Sequence, residues 1–159
     1  MTDALQLRQL LQRLVDAEVE FVLVGGLAVN AWGYLRGTRD VDVVPSSAAE
    51  NLEKLEALLR SLDGRVEVGS KLLDADSIET FLRTGDRTLV LTALGRVDVL
   101  QGLPQIPAFS VLDEQATPVD MDGLIVRVCS LEHLLEMKRA SDRPRDRDDL
   151  KALEDAQSD

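Results

Sequence analysis

The sequence predicts an α+β domain, and three observations predict it. Helical and strand-type apolar patterns succeed one another along the chain without an internal repeat. The 159 residues, 45% hydrophobic and 30% charged, suffice to bury one core. No low-complexity linker divides them, so a single domain over residues 1–159 is expected, with C-terminal helices from about residue 130.

Leu7, Leu10, Leu11 and Leu14 recur at helical spacing, which predicts an amphipathic helix over about 3–18. Phe21 to Val24 reads as a strand that Gly25-Gly26 ends, and Leu27 to Tyr34 as a second helix. The strand Val41 to Val44 stops at Pro45, which has no N–H to give a ladder. Ser47-Ala48-Ala49-Glu50 matches a capping box, opening a helix with Leu52, Leu55, Leu59 and Leu62 on one side. Beyond Gly64 the pattern turns to strands: Val66 to Val68, then Thr88 to Thr92 and Arg96 to Leu100 as a hairpin about Ala93-Leu94-Gly95. Residues 103–117 hold two prolines and one short helix. Asp122-Gly123 turns the chain into a strand from Leu124 to Cys129, and Ser130 can cap a helix from Leu131 to Arg139. The run SDRPRDRD (141–148) interrupts the pattern before a last helix through Leu150 and Leu153, and the end AQSD is expected to fray.

Charge and composition exclude several functions. With 29 acidic against 18 basic residues the net charge is −11, which opposes the phosphate neutralisation that binding to long nucleic acids requires. Aromatic residues make up only 3%, so stacking platforms for single strands are scarce. No apolar run approaches the roughly 20 residues of a membrane span, and the start lacks a signal-peptide core, so a cytoplasmic protein without membrane contact is expected. Cys129 is the single cysteine, which rules out a disulfide framework. His133, the single histidine, is expected to face solvent on its helix, which leaves Ser-His-Asp chemistry without a base.

Asp40 and Asp42 alternate along a strand, so both carboxylates project from one face and repel unless a cation lies between them. An isolated Asp-x-Asp is common on solvent-facing strands, but three neighbours give this one chemical meaning. Gly25-Gly26, between a strand and a helix, permits close backbone approach and offers unpaired N–H groups to an anion. Arg36, Thr38 and Arg39 lie just before the aspartates and can contact phosphate oxygens or balance charge. Asp98 also alternates out of an apolar strand and needs a partner. Three carboxylates facing a glycine-marked helix start form an oxygen-rich site suited to Mg²⁺ or Mn²⁺ with a nucleoside triphosphate.

The order Gly-Gly, helix, Arg-x-Thr-Arg, Asp-x-Asp and a later strand aspartate resembles the nucleotidyltransferase superfamily that includes polymerase β. FVLVGGLAVNAWGYLRGTRDVDVV is similar to the start of AbiEii-type nucleotidyltransferases of toxin-antitoxin systems, and to aminoglycoside and lincosamide nucleotidyltransferases. SLEHLLEMKRASDRPRDRDDLKAL resembles the AbiEii-like C-terminal pattern. The resemblance implies a mixed β-sheet flanked by helices and NMP transfer from an NTP such as ATP to a hydroxyl on a tRNA end, a protein side chain or a small molecule. By the same resemblance Asp40, Asp42 and Asp98 would be catalytic metal ligands, with Asp98 helping to deprotonate the acceptor. Gly25 and Gly26 would hold the triphosphate, Lys138 would point at phosphate or base, and Asp149, or else Asp146, would orient Lys138 or the acceptor. Lys138 has a plainer role available, complementing its helix dipole, and the arginines of 139–147 read as a surface compensated by neighbouring aspartates. A second glycine stands where many members carry serine, and the acceptor pocket is expected to need an antitoxin or second-domain partner chain. The rival to an enzyme is a catalytically weak module that binds a nucleotide or a protein.

Overall fold

The computed structural model describes residues 4–157. Its elements run α1 (Ala4–Asp16), β1 (Phe21–Val24), α2 (Gly25–Ala31), β2 (Asp40–Pro45), α3 (Ala49–Ser61), β3 (Arg65–Val68), β4 (Lys71–Leu73) and α4 (Ser77–Thr84). The second half adds β5 (Asp86–Thr92), β6 (Gly95–Gln101), α5 (Phe109–Gln115), β7 (Thr117–Met121), β8 (Leu124–Val128), α6 (Leu131–Ser141) and α7 (Pro144–Gln157). The strands form one sheet in the order β4-β3-β5-β6-β2-β1-β8-β7. The β2–β6 and β1–β8 pairs are parallel and the other pairs antiparallel, so the sheet is mixed and the class is α+β.

The central strands β1, β2 and β6 supply the core. Val22, Leu23, Val41, Val43, Val97 and Val99 are at most 0% exposed, and α1 covers one side of them with Leu10 and Leu14. Burial on both faces explains why β1 reads as a continuous apolar run rather than an alternating one. Alternation survives on β2 because its Asp40 and Asp42 point into a cleft on one face of the sheet, whereas Val41 and Val43 point into the core.

Several local expectations need correction. Gly25 and Gly26 form the first turn of α2 instead of a separate bend, and Gly25 sits at φ +69°, which favours glycine. The capping box is unused: α3 starts after Ala48 with no side-chain cap, and Ser46 Oγ accepts from Ala48 N. Asn51 fastens that helix instead, donating to the carbonyls of Glu20 and Ser46 and accepting from Glu20 N at 2.7–2.9 Å. The helix α4 and the strands β4 and β7 had no sequence expectation, being short and weakly patterned. His133 is 7% exposed, against the expectation of a solvent-facing residue; its Nδ1 has no partner among the described residues. The run at 141–148 does break the helical pattern, at residues 142–143 between α6 and α7, but the break is short: α7 already begins within the run, with Pro144 at the first position, where a missing N–H costs nothing. Ser130 does cap α6, accepting from His133 N. The expected fraying of AQSD falls partly on residues 158–159, outside the described residues.

Asn51→Ala removes three hydrogen bonds and leaves the Glu20 N–H unpaired, so it is expected to destabilise the protein by about 2–3 kcal/mol. Urea denaturation checks this, and an unchanged midpoint would mean that Asn51 does not fasten α3.

Candidate active site

The strand register builds the site. In the parallel β2–β6 pair Asp42 lies beside Asp98 and Asp40 beside Arg96, and across the antiparallel β1–β2 pair Asp42 lies beside Val24, the residue before the glycine turn. These residues line one cleft of about 470 Å³, together with Gly25, Gly26, Thr38, Lys138 and apolar side chains that include Leu103, Ile106 and Met137. A smaller hollow of about 380 Å³ between α3 and α4 is lined by Glu53, Glu56, Glu79 and Arg83, surface groups without comparable convergence.

Crowding and burial of the carboxylates bear on their protonation. Asp42 is pushed up from 3.8 to about 7, first by burial and then by the charges of Asp98 and Asp40, against the pull of Lys138 and Arg87. Asp98, 4% exposed, is also raised, because burial outweighs its ion pair with Arg87. That pair is close: Arg87 Nε lies 3.0 and 2.9 Å from the two oxygens of Asp98, and Nη2 lies 2.7 Å from Oδ2. Asp40 Oδ1 is buried without a partner. Among the described residues no three acidic, histidine or cysteine side chains converge as a cation cage. The Arg87 pair occupies both oxygens of Asp98 and so withholds that carboxylate.

Close contact explains the glycines. A Cβ at Gly25 would overlap the Asp42 carboxylate, and one at Gly26 would stand 2.6 Å from Thr38 Oγ1. Both are therefore required by packing against β2 and against the connection 36–39, whatever ligand approaches them.

Arg36, Lys138 and Asp149 meet in a buried charge network. Arg36 Nε and Nη2 donate to the two oxygens of Asp149 at 2.8 and 3.0 Å. Lys138 Nζ lies 3.1 Å from Asp146 and 3.0 Å from Asp149, and Arg143 Nε donates to Asp146 at 2.8 Å. Burial pushes Asp146 up, but hydrogen bonds from Arg143, Ser141 and Lys138 outweigh it and hold the carboxyl below its usual range. An ammonium has three donors, and two are taken here, leaving one for the cleft. Arg39 is exposed and, among the described residues, unpaired.

Arg87 and Arg143 had no place in the sequence reading of the site, whereas Asp146, the second candidate there to orient Lys138, does lie beside it together with Asp149. The hairpin contained the signal for Arg87: with Thr92 opposite Gly95, Leu89 falls opposite Asp98, and Arg87 is two residues along on the same face. For Asp146 the signal is helical spacing, since Asp146, Asp149 and Leu153 share the buried side of α7.

No helix among the described residues is long and apolar enough to cross a membrane. No curated protein sequence matches the chain. Solved structures share its fold. The lincosamide antibiotic adenylyltransferase LnuA with lincomycin bound superposes with a TM-score of 0.69 at 18% identity, covering 96% of this chain and 97% of that one. An antigenic nucleotidyltransferase-like protein from Paracoccidioides brasiliensis gives 0.64 at 21% identity, over 96% of this chain and 77% of that one. ANT(2″)-Ia in complex with adenylyl-2″-tobramycin gives 0.59 at 16% identity, over 92% and 84%. The model of the family described as "Nucleotidyl transferase of unknown function (DUF2204)" matches residues 3–159, and the chain belongs to that family of nucleotidyl transferases.

Proposed function

We propose that the protein transfers a nucleoside monophosphate from an NTP to a hydroxyl, with Mg²⁺ or Mn²⁺ held by Asp40, Asp42 and Asp98. The observation that carries this reading is the register that sets Asp42 beside Asp98, with Asp40 on the same strand face, next to the Gly25-Gly26 turn. The donor set fits a hard divalent cation once Arg87 releases Asp98: only carboxylate oxygens, one of them buried and unpartnered, and one carboxyl raised by burial and then by its neighbours' charges. Bound there, the cation would screen the phosphates and lower the pKa of a coordinated hydroxyl.

The protein's own groups do the rest. Gly25, Gly26, Thr38 and the free donor of Lys138 take the phosphates, while Asp149 and Arg36 hold Lys138 and the 36–39 connection in position. The acceptor oxygen bonds to the α-phosphorus as the bond to the bridging oxygen breaks. Pyrophosphate leaves with that electron pair, and the hydroxyl proton passes to Asp98. Asp98 can accept it once Arg87 swings away, and Arg87, with a side chain 56% exposed, can turn toward the leaving phosphates without unpacking the sheet. The lincomycin and adenylyl-2″-tobramycin of the solved relatives support a small-molecule acceptor. An unpaired thiol at Cys129, buried and pushed up to about 12 by that burial, suits a reducing cytoplasm.

Titrating Mn²⁺ with a non-hydrolysable NTP into wild type and Asp42→Ala tests the site: binding is expected only in wild type, and equal binding would overturn the metal assignment. Asp98→Asn is expected to keep most nucleotide affinity while single-turnover label transfer falls by about 10² or more, the scale of losing a positioned base. Loss of melting temperature with unchanged transfer would make Asp98 structural.

The raised carboxyl of Asp42 gives a stability test in chelator. Its folded pKa of about 7 exceeds the unfolded 3.8, so the stability it lends is fully present below the unfolded value and is lost as pH rises through 7. Asp42→Asn is therefore expected to be more stable than wild type at pH 8, by about 2 kcal/mol, with the advantage shrinking at pH 5. Thermal unfolding at both pH values checks the sign.

A further inference from the structure

Seven of the chain's 18 lysines and arginines line the cleft, against four aspartates, so it is net positive in a protein of net charge −11. Five of the seven are engaged by carboxylates: Arg36, Arg87, Arg96, Lys138 and Arg143. Arg39 and Arg145 are exposed, and among the described residues neither has a carboxylate partner. Arg145 Nη2 donates to Gly37 O at 3.1 Å, which brings this α7 side chain onto the connection that carries Arg39 two residues later. That single bond leaves most of the guanidinium donors of Arg145 unspent. Two cations on a cleft rim, each without an anion of its own, are set to receive one from solution, and the planar guanidinium fork matches a phosphate group best.

Resting on the nucleotidyl-transfer reading, we propose that Arg39 and Arg145 form a second anion subsite and that the acceptor is a small hydroxyl compound carrying its own phosphate. This moves Arg39 from the nucleotide, where the sequence suggested it, to the acceptor. Size follows from two observations. A cleft of about 470 Å³ must hold the nucleotide as well. A long polynucleotide leaving it would run along a surface whose net charge is negative, without the phosphate neutralisation such binding needs. A polyamine such as tobramycin would meet the two uncompensated guanidinium groups and be repelled.

Both side chains are exposed, so Arg39→Ala/Arg145→Ala leaves the core intact. Calorimetry first measures binding of Mn²⁺ with non-hydrolysable ATP, CTP, GTP and UTP analogues to wild type and the double variant. With the tightest analogue saturating, ribose 5-phosphate, ribose, tobramycin and a short RNA oligonucleotide are then titrated. Ribose 5-phosphate is expected to bind wild type at least about tenfold more tightly than ribose does, and the double variant to lose about tenfold for ribose 5-phosphate while its nucleotide affinity changes by less than about threefold. Equal ribose 5-phosphate binding by the two proteins, displacement of the nucleotide by it, or preferred binding of tobramycin or the RNA would each overturn the subsite. Nucleotide binding with no ribose 5-phosphate binding overturns the subsite alone, whereas no binding of any nucleotide analogue by wild type overturns the nucleotidyl-transfer reading beneath it.

Discussion

Asp42 and Asp98 stand side by side in a parallel strand pair, and the repulsion between them organises the groups around the cleft. Like charges on adjacent strand positions destabilise a sheet, and burial of Asp98 removes the water that would screen them. The protein answers in three ways. Arg87 reaches from β5 to pair with Asp98, Lys138 brings positive charge from α6, and Asp42 holds its proton up to about pH 7. Two of the three are not permanent: Arg87 is more than half exposed, and a proton exchanges with solvent. The carboxylates are thus held with counter-charges that a more strongly bound cation can replace.

A second set of charges is fixed. Arg36, Asp149, Lys138, Asp146 and Arg143 form a chain of ion pairs in which both aspartate side chains are 1% exposed. Buried pairs of this kind add little net stability, since desolvation offsets their attraction, but removing one partner strands a charge and costs several kcal/mol. Their consequence is geometric. The network ties three segments distant in sequence, the 36–39 connection, α6 and α7, to one another, so Lys138 and the backbone beside Gly26 cannot move independently.

Elements with strong period were legible in the sequence and elements defined by pairing were not. Leu7, Leu10, Leu11 and Leu14 are the buried residues of α1, and Phe21–Val24 is β1 to the residue, because apolar periodicity is a local property. The three-residue β4 carries no such period, and its existence depends on β3 beside it. The aspartates were legible for the same local reason, since alternation fixes which way Asp40 and Asp42 point. What Asp98 touches is a matter of hairpin register, so only the pairing of Thr92 with Gly95 places Arg87 beside it. The arginine-aspartate run near residue 145 was legible only in part: the resemblance put Asp149 or Asp146 at Lys138, but composition makes its arginines one compensated surface. Its composition is that of a solvated surface, yet helical phase turns Asp146 and Asp149 inward while Arg145 stays outside.

This division between sheet and connections bears on how one fold can serve different acceptors. Solved relatives share it at 16–21% identity, so the backbone arrangement tolerates replacement of most side chains. Here the carboxylates sit on β2 and β6, where the Asp42–Asp98 register cannot shift by one residue without turning the apolar side chains of one strand to the wrong face. The rim cations sit elsewhere: Arg39 on the irregular stretch before β2, Arg145 in the first turn of α7. Neither packs in the core, so their charge can change at little cost to folding while the field at the cleft mouth changes with it. On the proposed function, chemistry would thereby be confined to positions that the sheet holds in register, and selectivity to positions that it leaves free.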